Sequence, residues 1–173
     1  MQSSQAKKMT EQIRDPVSRA RYSFERRGED LVVYTWLEPG GGLPAHFHPQ
    51  QEERWSVLEG RVRFRLGDEK RVIGPEDGEM VVAPGVTHGL ESVGDEEARL
   101  HTLVSPALRL QEFLEESAAA AEERLFTARG LPRGLRGARW AAGFLKRYRD
   151  ETVMVSPPQP VQRLLFALLA RDA

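Results

Sequence analysis

Apolar residues recur in this chain with two different rhythms, and the change comes near Ser105. From Asp30 to Ser105 the apolar runs are short and separated by turn residues: LVVYTWLEP, WSVLEG, RVRFRL, EMVVAPG and ARLHTLVSP. In RVRFRL the apolar Val62, Phe64 and Leu66 alternate with Arg61, Arg63 and Arg65. That period of two turns one face of a strand to a core and leaves the arginines on an outer surface. Several such strands at intervals of about 8 to 12 residues predict a sandwich or barrel. After Ser105 the spacing becomes helical: Ala107, Leu110, Leu114, Ala118, Ala121 and Leu125 recur every three or four residues until Gly130. Ser105 can cap this helix and Pro106 can occupy its first turn. A second helical stretch carries Trp140, Phe144 and Tyr148 four apart, and a third follows SPPQP with Val161, Leu164, Leu165 and Leu168 on one face. The pattern therefore predicts a loosely ordered lead-in at 1–20, a β-barrel at 21–106 and a helical extension at 107–173. The fold class is mainly β with C-terminal α-helices.

Composition narrows the partners. The 173 residues suffice for one core with an appendage, and 25 basic against 26 acidic residues create no global field that selects nucleic acid or anionic membrane. With no cysteine, disulfides, thiolate metal sites and a cysteine nucleophile are excluded. The opening MQSSQAKKMTEQIRDP lacks the apolar run of a secretory signal, so a cytoplasmic protein is expected, and LLFALLA is far shorter than the roughly 20 residues that cross a bilayer. From Arg124 to Arg149 there are eight basic residues and no acidic one. They answer Glu112, Glu115, Glu116, Glu122 and Glu123 just before them, so a solvated, charge-paired face is expected over an anion-binding patch.

The chemistry concentrates in GLPAHFHPQQEERWSVLEG, which holds two of the four histidines and a pair of glutamates. Side chains two apart on a strand share a face, so His46 and His48 point the same way and Phe47 the other. Imidazole with carboxylate suits a borderline transition metal better than calcium or magnesium. Read by itself, though, the stretch also fits a polar turn built by Gly40, Gly41, Gly42 and Pro44. His88, in APGVTH, follows a strand and a glycine turn, as a residue brought back to the same place across a barrel would. Straight-strand parity places Glu52 with the histidines. Pro49, which cannot join a hydrogen-bonded ladder, favours a turn or bulge that moves Glu53, Trp55 and Val57 inward instead.

Gly40, five residues, His46, Phe47, His48, four residues, Glu53, six residues and Gly60 together resemble the first motif of the cupin superfamily. The second motif of that family is partly kept: Gly85 and His88 match, while Ala83, Ser92 and Asp77 stand where the family has proline, asparagine and glycine. The resemblance covers residues 30–106 and is silent on the helices. It implies a double-stranded β-helix, or jelly-roll barrel, in which His46, His48, Glu53 and His88 hold one divalent first-row transition metal: Fe, Mn, Zn, Ni, Co or Cu. It also implies a small-molecule ligand or substrate inside the barrel and a homodimer. His101 is a candidate pocket residue, with a surface histidine as the alternative. Tyr34, Trp36, Tyr22 and Phe24 either line a cavity or fill the core. No catalytic residue is assigned. The expected function is a metal-binding cupin acting on a small organic molecule, with dioxygenase- or isomerase-like chemistry. The alternative is a non-catalytic ligand-binding or sensing module whose helices serve dimerisation or partner recruitment.

Overall fold

The computed structural model describes residues 12–170. Its strands, in chain order, are β1 (Ile13–Asp15), β2 (Ala20–Arg27), β3 (Asp30–Leu37), β4 (Gly42–Phe47), β5 (Glu52–Glu59), β6 (Val62–Leu66), β7 (Glu69–Ile73), β8 (Glu79–Val82), β9 (His88–Ser92), β10 (Ala98–Ser105) and β11 (Val153–Met154). They form two antiparallel sheets, one in the order β1-β2-β3-β10-β5-β8 and the other β11-β4-β9-β6-β7. Alternation explains the core between them. Leu31, Val33 and Leu37 of β3, Leu100 and Val104 of β10 and Val62 and Phe64 of β6 are buried. Arg63, between the last two, faces outward and pairs with Glu91 at 2.9 Å. Gly60 shows why the turn after β5 carries no side chain. Its φ is +74°, and a Cβ there would stand 2.9 Å from the Ala98 Cα.

The lead-in differs in part from expectation, because Ile13–Asp15 pairs with β2 as a strand; residues 1–11 lie outside the described residues. The helical extension comprises α1 (Leu110–Glu122), α2 (Gly134–Arg147) and α3 (Gln159–Leu169). Ser105 does not cap α1. It is the last residue of β10, opposite Glu52, and the ladder claims it. The segment after it is held by Gln51, whose Nε2 donates to the Pro106 and Ala107 carbonyls, and the helix starts only at Leu110. Its end also comes early. Arg124 takes φ +59°, its N–H donates to the Ala121 carbonyl and that of Leu125 to Ala120. This is a Schellman stop with arginine where glycine is usual, so the sequence carries no glycine to announce it.

The aromatic stripe of α2 packs on α1. Trp140 and Phe144 stack at 4.6 Å, Phe113 and Phe144 at 4.8 Å, and the buried Tyr148 donates its hydroxyl to Glu116 at 2.7 Å. Two of the eight basic residues pair with α1 and its cap, Arg136 with Glu123 and Arg147 with Glu116. On α3, the face carrying Val161, Leu164 and Leu168 looks outward. None of the described helices is long and apolar enough to cross a membrane.

Candidate metal centre

Two sheets deliver four side chains to one point. His46 lies on β4 opposite His88, the first residue of β9, and His48 follows the end of β4. Glu53 comes from β5 in the other sheet. All four are buried: His46 is 8% exposed, His48 3%, Glu53 3% and His88 1%. Each histidine offers a ligand atom within 4.8 Å of the other two.

The backbone decides which nitrogen faces inward. His46 Nδ1 lies 2.7 Å from the Pro44 carbonyl oxygen, His48 Nδ1 2.5 Å from that of Glu151, and His88 Nδ1 3.0 Å from that of Val86. A carbonyl only accepts, so the proton sits on Nδ1 in all three rings, and every Nε2 can present a lone pair to a common centre. Glu53 stands against two of them, Oε1 at 3.2 Å from His48 Nε2 and Oε2 at 2.8 Å from His88 Nε2. Those Nε2 atoms nevertheless make no hydrogen bond of acceptable direction. They are close to the carboxylate but not aimed along it. Neighbouring ligand atoms bound about 2.1 Å from one ion lie about 3 Å apart, so this spacing fits a shared metal, and the buried orphan nitrogens fit it too. Trp55 Nε1 donates to Glu53 Oε2 at 2.8 Å and fixes the carboxylate, the outer support that metal-ligating groups ordinarily have.

Protonation follows from this crowding. Burial, with the nearby His88 and His48 rings, pushes His46 down to about 3. Burial alone would lower His48 as well, but the Glu53 carboxylate overrides it and raises His48 above its ordinary value. Burial would raise Glu53, and the two histidines bring it well below the usual carboxylate range.

The choice between the two glutamates is geometric. The chain leaves one sheet at Phe47, turns through Pro49–Gln51 and enters the other at Glu52, which cancels straight-strand parity. Glu53, Trp55 and Val57 are buried, while Glu52 faces outward and contacts Arg54 at 2.9 Å. His101 is a correction. On β10 it alternates with Leu100 and Thr102, which point inward, so it lies on the outer face against Tyr34, 5.4 Å between ring centroids. Tyr34 and Trp36 share that face and are not among the residues lining the interior cavity, whereas Tyr22 is buried against it.

Sequence reasoning missed the support from the far end of the chain. Glu151 supplies the carbonyl that orients His48, the Thr152 hydroxyl lies 3.3 Å from the same nitrogen, and β11 pairs Val153 with Phe47 and Met154 with His46. No local signal joins residues more than a hundred positions apart. Above the centre a cavity of about 910 Å³ extends between the barrel and the three helices, lined by His46, His48 and Glu53 at one end and by Phe113, Trp140 and Phe166 at the other.

A family model described as a cupin domain matches residues 33–104. An oxidoreductase of Arthrobotrys oligospora is 40% identical over 55 residues, 31% of this chain and 22% of that protein. The polyketide synthase CurC of Streptomyces cyaneus is 36% identical over 70 residues, 40% of this chain and 45% of that protein. The chain thus spans less than half the length of these relatives. Among solved structures, an RmlC-like cupin of Shewanella frigidimarina superposes with a TM-score of 0.51 at 22% identity, over 57% of this chain and 86% of that one. That likeness concerns the fold.

Proposed function

The chain belongs to the cupin superfamily, and we propose that it binds one divalent first-row transition metal through His46, His48, Glu53 and His88 and acts with it on a small organic molecule held in the barrel. The observation that carries this reading is the set of three Nδ1 contacts to backbone carbonyls, which leaves three Nε2 lone pairs beside one buried carboxylate. When bound, the metal supplies Lewis acidity and open coordination positions and, if it is iron, reactivity toward dioxygen. The chain's own residues fix the ligands: backbone carbonyls orient the three rings, and the Trp55 indole holds Glu53. The proposed chemistry is dioxygenase- or isomerase-like, and the oxidoreductase name of the Arthrobotrys relative supports the former. The competing reading is a ligand-binding or sensing module. It is favoured by the scarcity of free acids and bases at the cavity, where Asp15 is already engaged by the Val17 and Ser18 amides and the Ser18 hydroxyl. Metal-dependent turnover separates the two.

Elemental analysis of the purified protein is expected to find close to one equivalent of metal. Occupancy should then follow pH with a definite sign. A metal must displace the proton that Glu53 favours on His48, whose pKa is raised, so binding weakens as pH falls through that raised value. His46, at about 3, competes only in strong acid. Occupancy that rose on acidification, or absent metal after reloading, would sink the proposal.

We also propose a homodimer through α3. That helix is apolar on both sides: Leu165, Phe166 and Leu169 line the cavity, while Val161, Leu164 and Leu168 are 44%, 59% and 62% exposed. An exposed apolar stripe on a helix whose opposite side already lines a cavity calls for cover, and a second copy supplies it. Leu164→Lys with Leu168→Lys is expected to give monomers in sedimentation experiments. A dimer that persists, or a parent protein that is already monomeric, would refute this interface.

A further inference from the structure

The cavity above the metal centre has a chemical character that narrows what enters it. Its volume, about 910 Å³, lies near the top of the range of about 300–1,000 Å³ that buries drug-sized molecules. Among the described residues, its charged lining side chains other than the candidate ligands are Asp15, Glu91 and Arg129. Each is accounted for away from a buried ligand. Both Asp15 oxygens accept local hydrogen bonds. The Glu91 carboxylate is turned outward to Arg63, and Arg129 is exposed. Among the described residues an anionic ligand would find no lysine or arginine buried in the cavity, and any charge on the His48 ring is already matched by the Glu53 carboxylate 3.2 Å away, so its burial would carry a cost that an uncharged ligand avoids.

The helix-side walls are rings and aliphatic chains: Phe113, Phe126, Trp140, Phe144, Phe166 and Leu169. Deeper in, one polar group stands ready. Thr102 on β10 is 2% exposed and lines the cavity, and its hydroxyl has no hydrogen-bond partner. It lies opposite Trp55, the residue that holds Glu53. A buried hydroxyl left unpaired is costly, and a ligand oxygen or N–H would satisfy it.

We infer that the site takes an uncharged, largely apolar, ring-containing molecule whose hydroxyl or carbonyl end is held by Thr102 beside the metal centre, the helical extension forming the pocket for its body. This deepens the functional reading above and rests on it only for the metal at the polar end. Selectivity then resides in α1, α2 and α3, the part of the chain that lies beyond the cupin-domain match.

The test titrates full-length protein, metal-free and metal-loaded, with 2-naphthol and 2-naphthoate at neutral pH in a calorimeter. The two share a ring system and differ in charge. The metal-free form is decisive, because a bound cation would itself attract the carboxylate. It is expected to bind 2-naphthol at least about tenfold more tightly than 2-naphthoate, a difference of about 1.4 kcal/mol. Ala141→Trp, which fills the cavity from α2, should lower 2-naphthol affinity about tenfold with metal content unchanged. Thr102→Val keeps the shape, removes the hydroxyl and should lower affinity about three- to tenfold, the worth of one hydrogen bond. Equal or reversed preference in the metal-free protein, or an affinity unmoved by Ala141→Trp, overturns the inference. An affinity unmoved by Thr102→Val overturns the placement of the polar end. Failure of the metal reading looks different: 2-naphthol is still preferred, with the same affinity whether or not metal was added.

Discussion

Replacing His46 and His48 together by alanine is expected to abolish metal binding, and Glu53→Gln to weaken it by about 10- to 100-fold or more, while Glu52→Gln leaves it nearly intact. The double histidine change removes two of the three inward Nε2 atoms, and no other described histidine lies close enough to replace them. For the glutamates, the contrast rests on one residue of register. Glu53 faces His48 and His88 at 3.2 and 2.8 Å from the start of β5, whereas Glu52 lies on the solvent side with Arg54. Glutamine at 53 can still accept the Trp55 N–H, so the variant should fold. What it loses is the charge that balances a divalent ion. Titration of both variants with the same metal checks this. Equal affinities, or the reverse order, would overturn the register assigned to β5.

The barrel half of this molecule was legible because its signals are local. Arg61, Arg63 and Arg65 alternate with buried Val62 and Phe64 as the period of two requires, and the spacing from Gly40 to Gly60 matches the region that forms β4 and β5. Pro49 correctly warned that parity would not carry from His48 to Glu53. The actual device is a passage from one sheet to the other rather than a bulge inside a strand. The helical half was legible as periodicity but not as position. Ser105 reads as a cap, yet its pairing with Glu52 takes precedence. Gly130 reads as a stop, yet Arg124 performs it. The outward face of His101 depended on which side of β10 closes over the core, and RLHTLV does not contain that information. The support for His48 was invisible for a related reason: a backbone carbonyl leaves no trace in residue type, so nothing about Glu151 advertises its role.

That hidden support leads to the second large effect. Removing residues 150–173 leaves all four candidate ligands in place, yet it is expected to lower metal affinity about 10- to 100-fold, as loss of an outer partner of a ligating histidine does. Three things disappear together. His48 loses the Glu151 carbonyl that holds its proton on Nδ1, so the ring is free to turn or to change tautomer. The strand that carries His46 and Phe47 loses its neighbour β11, including the Val155 N–H that donates to the Ala45 carbonyl, and becomes an open edge. The cavity loses the wall made by Phe166 and Leu169, and water gains access to the centre. A wider deletion of residues 107–173 should go further. It bares the surfaces that Ala107, Leu110 and Phe113 cover, takes one of the two acceptors of the buried Gln51 amide, and is expected to aggregate. The shorter deletion is the sharper test, since its affinity can be measured on whatever fraction remains soluble. If that fraction bound metal as tightly as the full chain and melted at the same temperature, the extension would be a passenger, and the idea that it completes the metal centre would have to be abandoned.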